Sequence, residues 1–88
     1  MTLEECRKEI DKTDAELVRL FCARMDISEQ VALYKKKNGL GVKDSAREAL
    51  LLQKVSQASD AKYKEYTKRL YEKILELSCE YQETLLKQ

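Results

Sequence analysis

Neither proline nor glycine occurs in the first 38 residues of this chain, and the first glycine is Gly39. That absence limits the fold more than any other feature, because nothing inside the stretch stops a helix. Apolar side chains recur at Leu3, Cys6, Ile10, Leu17, Phe21, Ile27, Val31 and Tyr34, mostly three, four or seven apart. The stretch from Leu3 to about Lys37 therefore reads as one helix. Roughly 35 residues rising ~1.5 Å each make a rod of about 50 Å. A compact chain of this length has a radius of gyration of only ~12 Å and a diameter near 30 Å. The rod is too long for the ball, so its apolar stripe needs something beyond its own chain to pack against, most simply a second copy.

Cations interrupt that stripe. Arg24 and Lys35 are eleven residues apart and fall within ~20° of each other around a helix. Phe21, Ile27 or Ser28, and Val31 share or flank that face. Two readings are open. The cations are solvated charges snorkelling at the edge of a core, or they meet something anionic that offsets their desolvation. Arg7 lies seventeen residues before Arg24, about 100° away around a straight helix. It is therefore not expected to serve the same pocket of its own chain.

Composition narrows the class. Charged residues make up 38% and apolar residues 43% of 88, with no proline and two glycines, which suits a nearly all-helical soluble protein of one domain, residues 1–88. The net charge of +1 gives no global field for nucleic acid or an anionic membrane surface. No apolar run approaches the ~18 residues of a spanning helix. The N-terminus, MTLEECRKEI, is charged from its fourth residue and does not read as a signal peptide, so the cytoplasm is the expected compartment. Cys6, Cys22 and Cys79 are odd in number, lack CxxC spacing and have no histidine beside them to complete a zinc site. They read as small buried hydrophobes. Without histidine, the usual general base near neutral pH is missing. No cofactor or metal is expected.

The remaining helices follow in order. Thr2, with Glu5 three residues on, forms a capping box for the first helix. Lys35, Lys36 and Lys37 suit its C-terminal dipole, and Asn38 or Gly39 can close it. After a short loop, Gly39 to Lys43, a second helix starts at Asp44 or Ser45 and runs to about Ser56. Its expected core face is Ala46, Ala49, Leu50, Leu52 and Val55, with Leu51 alongside. Asp44, Arg47 and Glu48 crowd its first turn, either as caps or as a polar cluster aimed into a site. A third helix, capped by Ser59 or Asp60, runs to about Leu86. It carries Ser78 and Gln82 at i and i+4 on an apolar stripe. These are core-edge groups satisfied by neighbours, or they face a polar ligand. The order is long, short, long, with no internal repeat.

Arg7, Arg24, Lys35, Asp44, Arg47, Glu48, Ser78 and Gln82 thus all intrude on apolar faces. A matching ligand is small, with about two negative charges and hydroxyl or ether oxygens. Guanidinium groups fork onto carboxylates, and lysine and glutamine aim donors at one oxygen. No nucleophilic triad, phosphate-binding loop or metal cluster is present.

In these residues the chain resembles the all-helical chorismate mutases. The segments that carry the likeness are CRKEID with Arg7, LFCARMDIS with Arg24, ALYKKK with Lys35, VKDSARE with Asp44, Arg47 and Glu48, and LSCEYQ with Ser78 and Gln82. It runs from about Leu3 to Gln82, with a short length adjustment between the second and third helices. The resemblance implies an all-α, intertwined homodimer of three-helix chains and a Claisen rearrangement of chorismate to prephenate, the branch step toward phenylalanine and tyrosine. It implies that Arg24, with Arg7 from the other chain, clamps two carboxylates. It also implies that Lys35 and Gln82 donate to the ether oxygen, that Glu48 and the Asp44 region bind the ring hydroxyl, and that Arg47 and Ser78 support the carboxylate end. Lyase chemistry on isochorismate in the same fold, a non-catalytic dimerisation module, and a mutase that needs a larger partner enzyme are the alternatives.

Overall fold

A computed structural model describes residues 1–87. They form α1 (Leu3–Lys37), α2 (Ser45–Ala58), a single 3-10 turn (Ala61–Tyr63) and α3 (Lys64–Leu86), with no strand among the described residues. The rod expected from the sequence is there, unbroken over 35 residues. The radius of gyration is 16.0 Å and the molecule measures 54 × 26 × 14 Å. That exceeds the ~12 Å of a compact chain of this length.

Local chemistry explains each boundary. Thr2 Oγ1 accepts the Glu5 N–H at 3.1 Å and starts α1. At the other end Gly39 takes φ +67°, the left-handed conformation that costs a Cβ-bearing residue most. Leu40 N–H then reaches back to the Lys35 carbonyl at 2.8 Å and Gly39 N–H to that of Lys36 at 3.4 Å, a Schellman closure. Asp44 Oδ1 accepts the Arg47 N–H at 3.0 Å and caps α2. Helix α2 runs two residues past the expected Ser56. The expected Ser59 or Asp60 side-chain cap of α3 is not made. Ser59 Oγ instead bonds Thr67 Oγ1 at 2.8 Å and the Asp60 carbonyl at 3.1 Å. The Asp60 carbonyl accepts the Tyr63 N–H, which begins the 3-10 turn, and α3 follows at Lys64.

Helix α3 is the spine. It packs on α1 along one side and on α2 along another, while α1 and α2 do not pack on each other. Cover on α1 is concentrated in its C-terminal half, from Phe21 to Lys35. Ala32, 1% exposed, is the most deeply buried residue of α1, on the face that meets α3, where a small side chain suits close packing. On the same crossing the phenol of Tyr81 is held above its ordinary pKa, first by burial and then by the Glu29 carboxylate.

Two sequence expectations about burial change. On α2 the inward residues are Leu51, Leu52 and Val55, half-buried against α3, whereas Ala46, Ala49 and Leu50 are exposed. The run Ala-Leu-Leu-Leu wraps most of the helix, and the side that meets α3 is the one shared with Glu48. None of the three cysteines is buried: Cys6 and Cys79 are half-buried and Cys22 is exposed, all as free thiols. Cys22 misses burial because the α1 face that meets α3 runs through Phe21, Met25, Ser28 and Ala32. Of the α1 stripe, Leu3, Ile10, Leu17, Ile27, Val31 and Tyr34 are all exposed, Leu17 at 55%, as expected of a rod that outruns the rest of its chain.

Ala32 generates the stability prediction. Ala32→Leu overpacks the crossing and costs about 1–3 kcal/mol of unfolding free energy in urea. An unchanged midpoint and slope would mean that the helices are not held this closely.

Candidate active site

A cavity of about 280 Å³ opens where the C-terminal half of α1, the first turn of α2 and the C-terminal half of α3 converge. Arg24 and Lys35 enter from α1, Asp44, Arg47 and Glu48 from the start of α2, and Ser78 and Gln82 from α3. Seven of the eight residues singled out in the sequence therefore line one space. Its apolar walls are Ile27, Val31, Val42, Leu51 and Leu75. Arg7 does not line it. It is exposed near the start of α1, ~25 Å along the helix axis from Arg24.

The cavity floor is a chain of hydrogen bonds. Lys35 Nζ donates to the Val42 carbonyl at 2.7 Å and to Gln82 Oε1 at 3.4 Å. Gln82 Nε2 donates to Ser78 Oγ at 3.2 Å, and Ser78 Oγ shares a 2.7 Å bond with Ser28 Oγ. Ser28, Ser78 and Gln82 are 5%, 6% and 7% exposed, and no described buried side-chain nitrogen or oxygen lacks a partner. Burial without satisfaction would cost each group ~1–3 kcal/mol, so this chain fixes their rotamers as well as pairing them. Gln82 is oriented unambiguously. An ammonium only donates, so the amide oxygen must face Lys35 and the NH2 must face Ser78.

The loop between α1 and α2 contributes backbone and charge. Val42, 6% exposed, plugs the end of the cavity and presents its carbonyl to Lys35. Lys43 pairs with Glu48 Oε1 at 2.9 Å on the outer side. That hydrogen bond holds the Lys43 ammonium above its ordinary pKa. The pair is solvent-exposed on the lysine side and contributes little to stability. Its effect is local: it fixes Glu48 and offsets one negative charge at the rim.

The own-chain lining thus holds three cations and two carboxylates. One carboxylate caps α2 and the other is tied to Lys43, which leaves a positive field over donors from lysine, glutamine and serine. Such a lining takes a small anion and can steady an oxygen that gains charge. Among the described residues, no cluster of histidine, cysteine or acidic side chains is placed to hold a metal ion, and no helix is long and apolar enough to cross a membrane.

Ser28 is the site residue that the sequence left undecided between itself and Ile27. Both line the cavity, but only Ser28 joins the hydrogen-bond chain. Its signal was the helical row Arg24, Ser28, Val31, Lys35, which places a hydroxyl between two cations.

Comparison with known proteins adds a family to this geometry. A stretch of 51 residues, 58% of the chain, is 39% identical to the T-protein of Haemophilus influenzae. The matched stretch spans 14% of that protein's length. No solved structure matches the chain. The family model described as chorismate mutase type II matches residues 6–83, nearly the whole chain and every cavity-lining residue named above, and the chain therefore belongs to the chorismate mutase type II family.

Proposed function

We propose that residues 1–88 act as one chorismate mutase domain and rearrange chorismate to prephenate in a single pericyclic step. The observation that carries this reading is the convergence of Arg24, Lys35, Asp44, Arg47, Glu48, Ser78 and Gln82 on one small cavity in a chain of this family. The reaction is unimolecular and moves no proton, so the absence of histidine from the sequence is no obstacle. Two tasks remain. The flexible enolpyruvyl arm must be folded over the ring, an orientational task. The ether oxygen must also be stabilised as its C–O bond breaks and negative charge builds.

The lining divides between these tasks. Arg24 suits one carboxylate, because a planar fork matches a carboxylate better than a point charge does, and Arg47 supports that end. Ser78 adds a hydroxyl at the carboxylate end. Glu48 and the Asp44 turn accept from the ring hydroxyl. Lys35 and Gln82 face the ether oxygen, and both keep hydrogens beyond those spent on Val42, on Ser78 and between themselves.

The functional unit in this proposal is a homodimer. The exposed apolar stripe of α1, with Ile10 and Leu17 each 55% exposed, is the surface that a second α1 covers. Antiparallel pairing carries the partner's N-terminal turn, and with it Arg7, toward the Arg24 end of the cavity. A second carboxylate then meets a second guanidinium.

Three outcomes follow. Lys35→Ala lowers kcat far more than it raises KM, by ~3 kcal/mol of transition-state stabilisation or more in steady-state assays of chorismate loss. An unchanged kcat would remove Lys35 from the mechanism. Gln82→Glu keeps activity only on the acid side, where the carboxyl is protonated and can donate, and loses it as pH rises. A flat pH–rate profile for that variant would count against donation from this position. Arg7→Ala and Arg24→Ala proteins, each inactive alone, regain about a quarter of wild-type activity when refolded together in equal amounts, since half the dimers are mixed and each mixed dimer has one intact site. No recovery, or a 10.3 kDa species by sedimentation, would sink the shared site.

A further inference from the structure

We propose that Ser28, outside the set of charged and amide groups assigned to the reaction, is a positioning residue that sets the direction of the hydroxyl hydrogen of Ser78. The inference deepens the mutase reading and rests on it. Ser28 is 5% exposed and lines the cavity, and its Oγ lies 2.7 Å from Ser78 Oγ. Among the described residues no other hydrogen bond ties its hydroxyl, whereas Ser78 Oγ is also the acceptor for Gln82 Nε2 at 3.2 Å. The order of donation along the chain follows from chemistry. Lys35 donates into Gln82, and Gln82 donates into Ser78. Ser78 then has one lone pair and one hydrogen to place. With Ser28 as donor, that lone pair is filled and the Ser78 hydrogen turns into the cavity, toward an anionic ligand oxygen. With Ser28 as acceptor, the Ser78 hydrogen is spent between the helices and the ligand loses a donor. A bound anion favours the first arrangement, because a hydrogen bond to a charged acceptor is worth roughly twice one between neutral groups. The 2.7 Å spacing, across α1 and α3, also limits how far Ser78 can rotate when the site is empty.

The test is a double-mutant cycle on chorismate turnover, with unfolding measured alongside. Ser28→Ala should lower kcat/KM by about 5- to 20-fold, mainly through KM if Ser78 grips a carboxylate, with the thermal midpoint little changed. Ser78→Ala should cost at least as much, and adding Ser28→Ala to it should cost less than a further twofold, because the first residue acts only through the second. A Ser28→Ala enzyme with wild-type kcat/KM would overturn the proposal, and so would losses that multiply fully in the double variant. Absence of turnover by the wild-type protein would strike the mutase reading instead. The side-chain amide resonances of Gln82 then decide the geometry: displaced resonances in Ser28→Ala support the coupling, and unmoved ones overturn it.

Discussion

The crossing of α1 over α3 is the contact on which everything else in this chain depends. Its most deeply buried residues are one very small one, Ala32, and a short polar chain, Ser28 to Ser78 to Gln82. Ala32 allows the close approach, and the hydroxyls and amide convert that approach into a fixed register. A purely apolar crossing could slide by a turn at little cost, because one leucine replaces another. A buried serine facing a buried serine cannot, because each would be left without a partner, at ~1–3 kcal/mol apiece. The same groups that define the register therefore also form the floor of the cavity, and the fold cannot shift without dismantling it.

The fold has little reserve besides this. Ala32 and Val42 are the buried apolar residues of the described chain, and long stretches of α1 face nothing. Burial of this extent rarely stabilises a domain of such size unaided. In the proposed dimer the second copy supplies the missing apolar contact through the same surface that delivers Arg7. Assembly and completion of the site then become one event, which explains why a helix would outgrow its own chain.

Much of this was legible in the residues, and the failures have a common cause. Helix α1 could be bounded within a residue because its ends carry strong local signals: Thr2 with Glu5 at one, Asn38-Gly39 at the other. The seven cavity residues could be named because charges and amides on an apolar face are conspicuous. What could not be read was which side of an all-round apolar segment would turn inward. Ala46, Ala49 and Leu50 satisfy a helical stripe as well as Leu51, Leu52 and Val55 do, and only the position of α3 chooses between them. Cys22 was misjudged for the same reason, since small size says nothing about side. The start of α3 was misplaced because Ser59 had a better tertiary partner in Thr67 than any local one.

The loop from Gly39 to Asp44 shows how sequence, fold and chemistry meet in this molecule. Gly39 closes α1 by taking a positive φ, and that turn sends the chain back across the end of the cavity. Val42 fills the gap and offers a carbonyl to Lys35, Lys43 restrains Glu48, and Asp44 starts the helix that presents Arg47 and Glu48. Lys35 would otherwise be a long flexible cation at a helix end, where it would favour water. Held at 2.7 Å by a carbonyl and facing the oxygen of an oriented amide, it gives up that freedom when the chain folds. The proposed mechanism needs this property, since a donor that must reorganise during a reaction returns much of what it contributes. That ordering comes from the Gly39 turn and the Val42 carbonyl it delivers, so the placement of Lys35 depends on how α1 is closed.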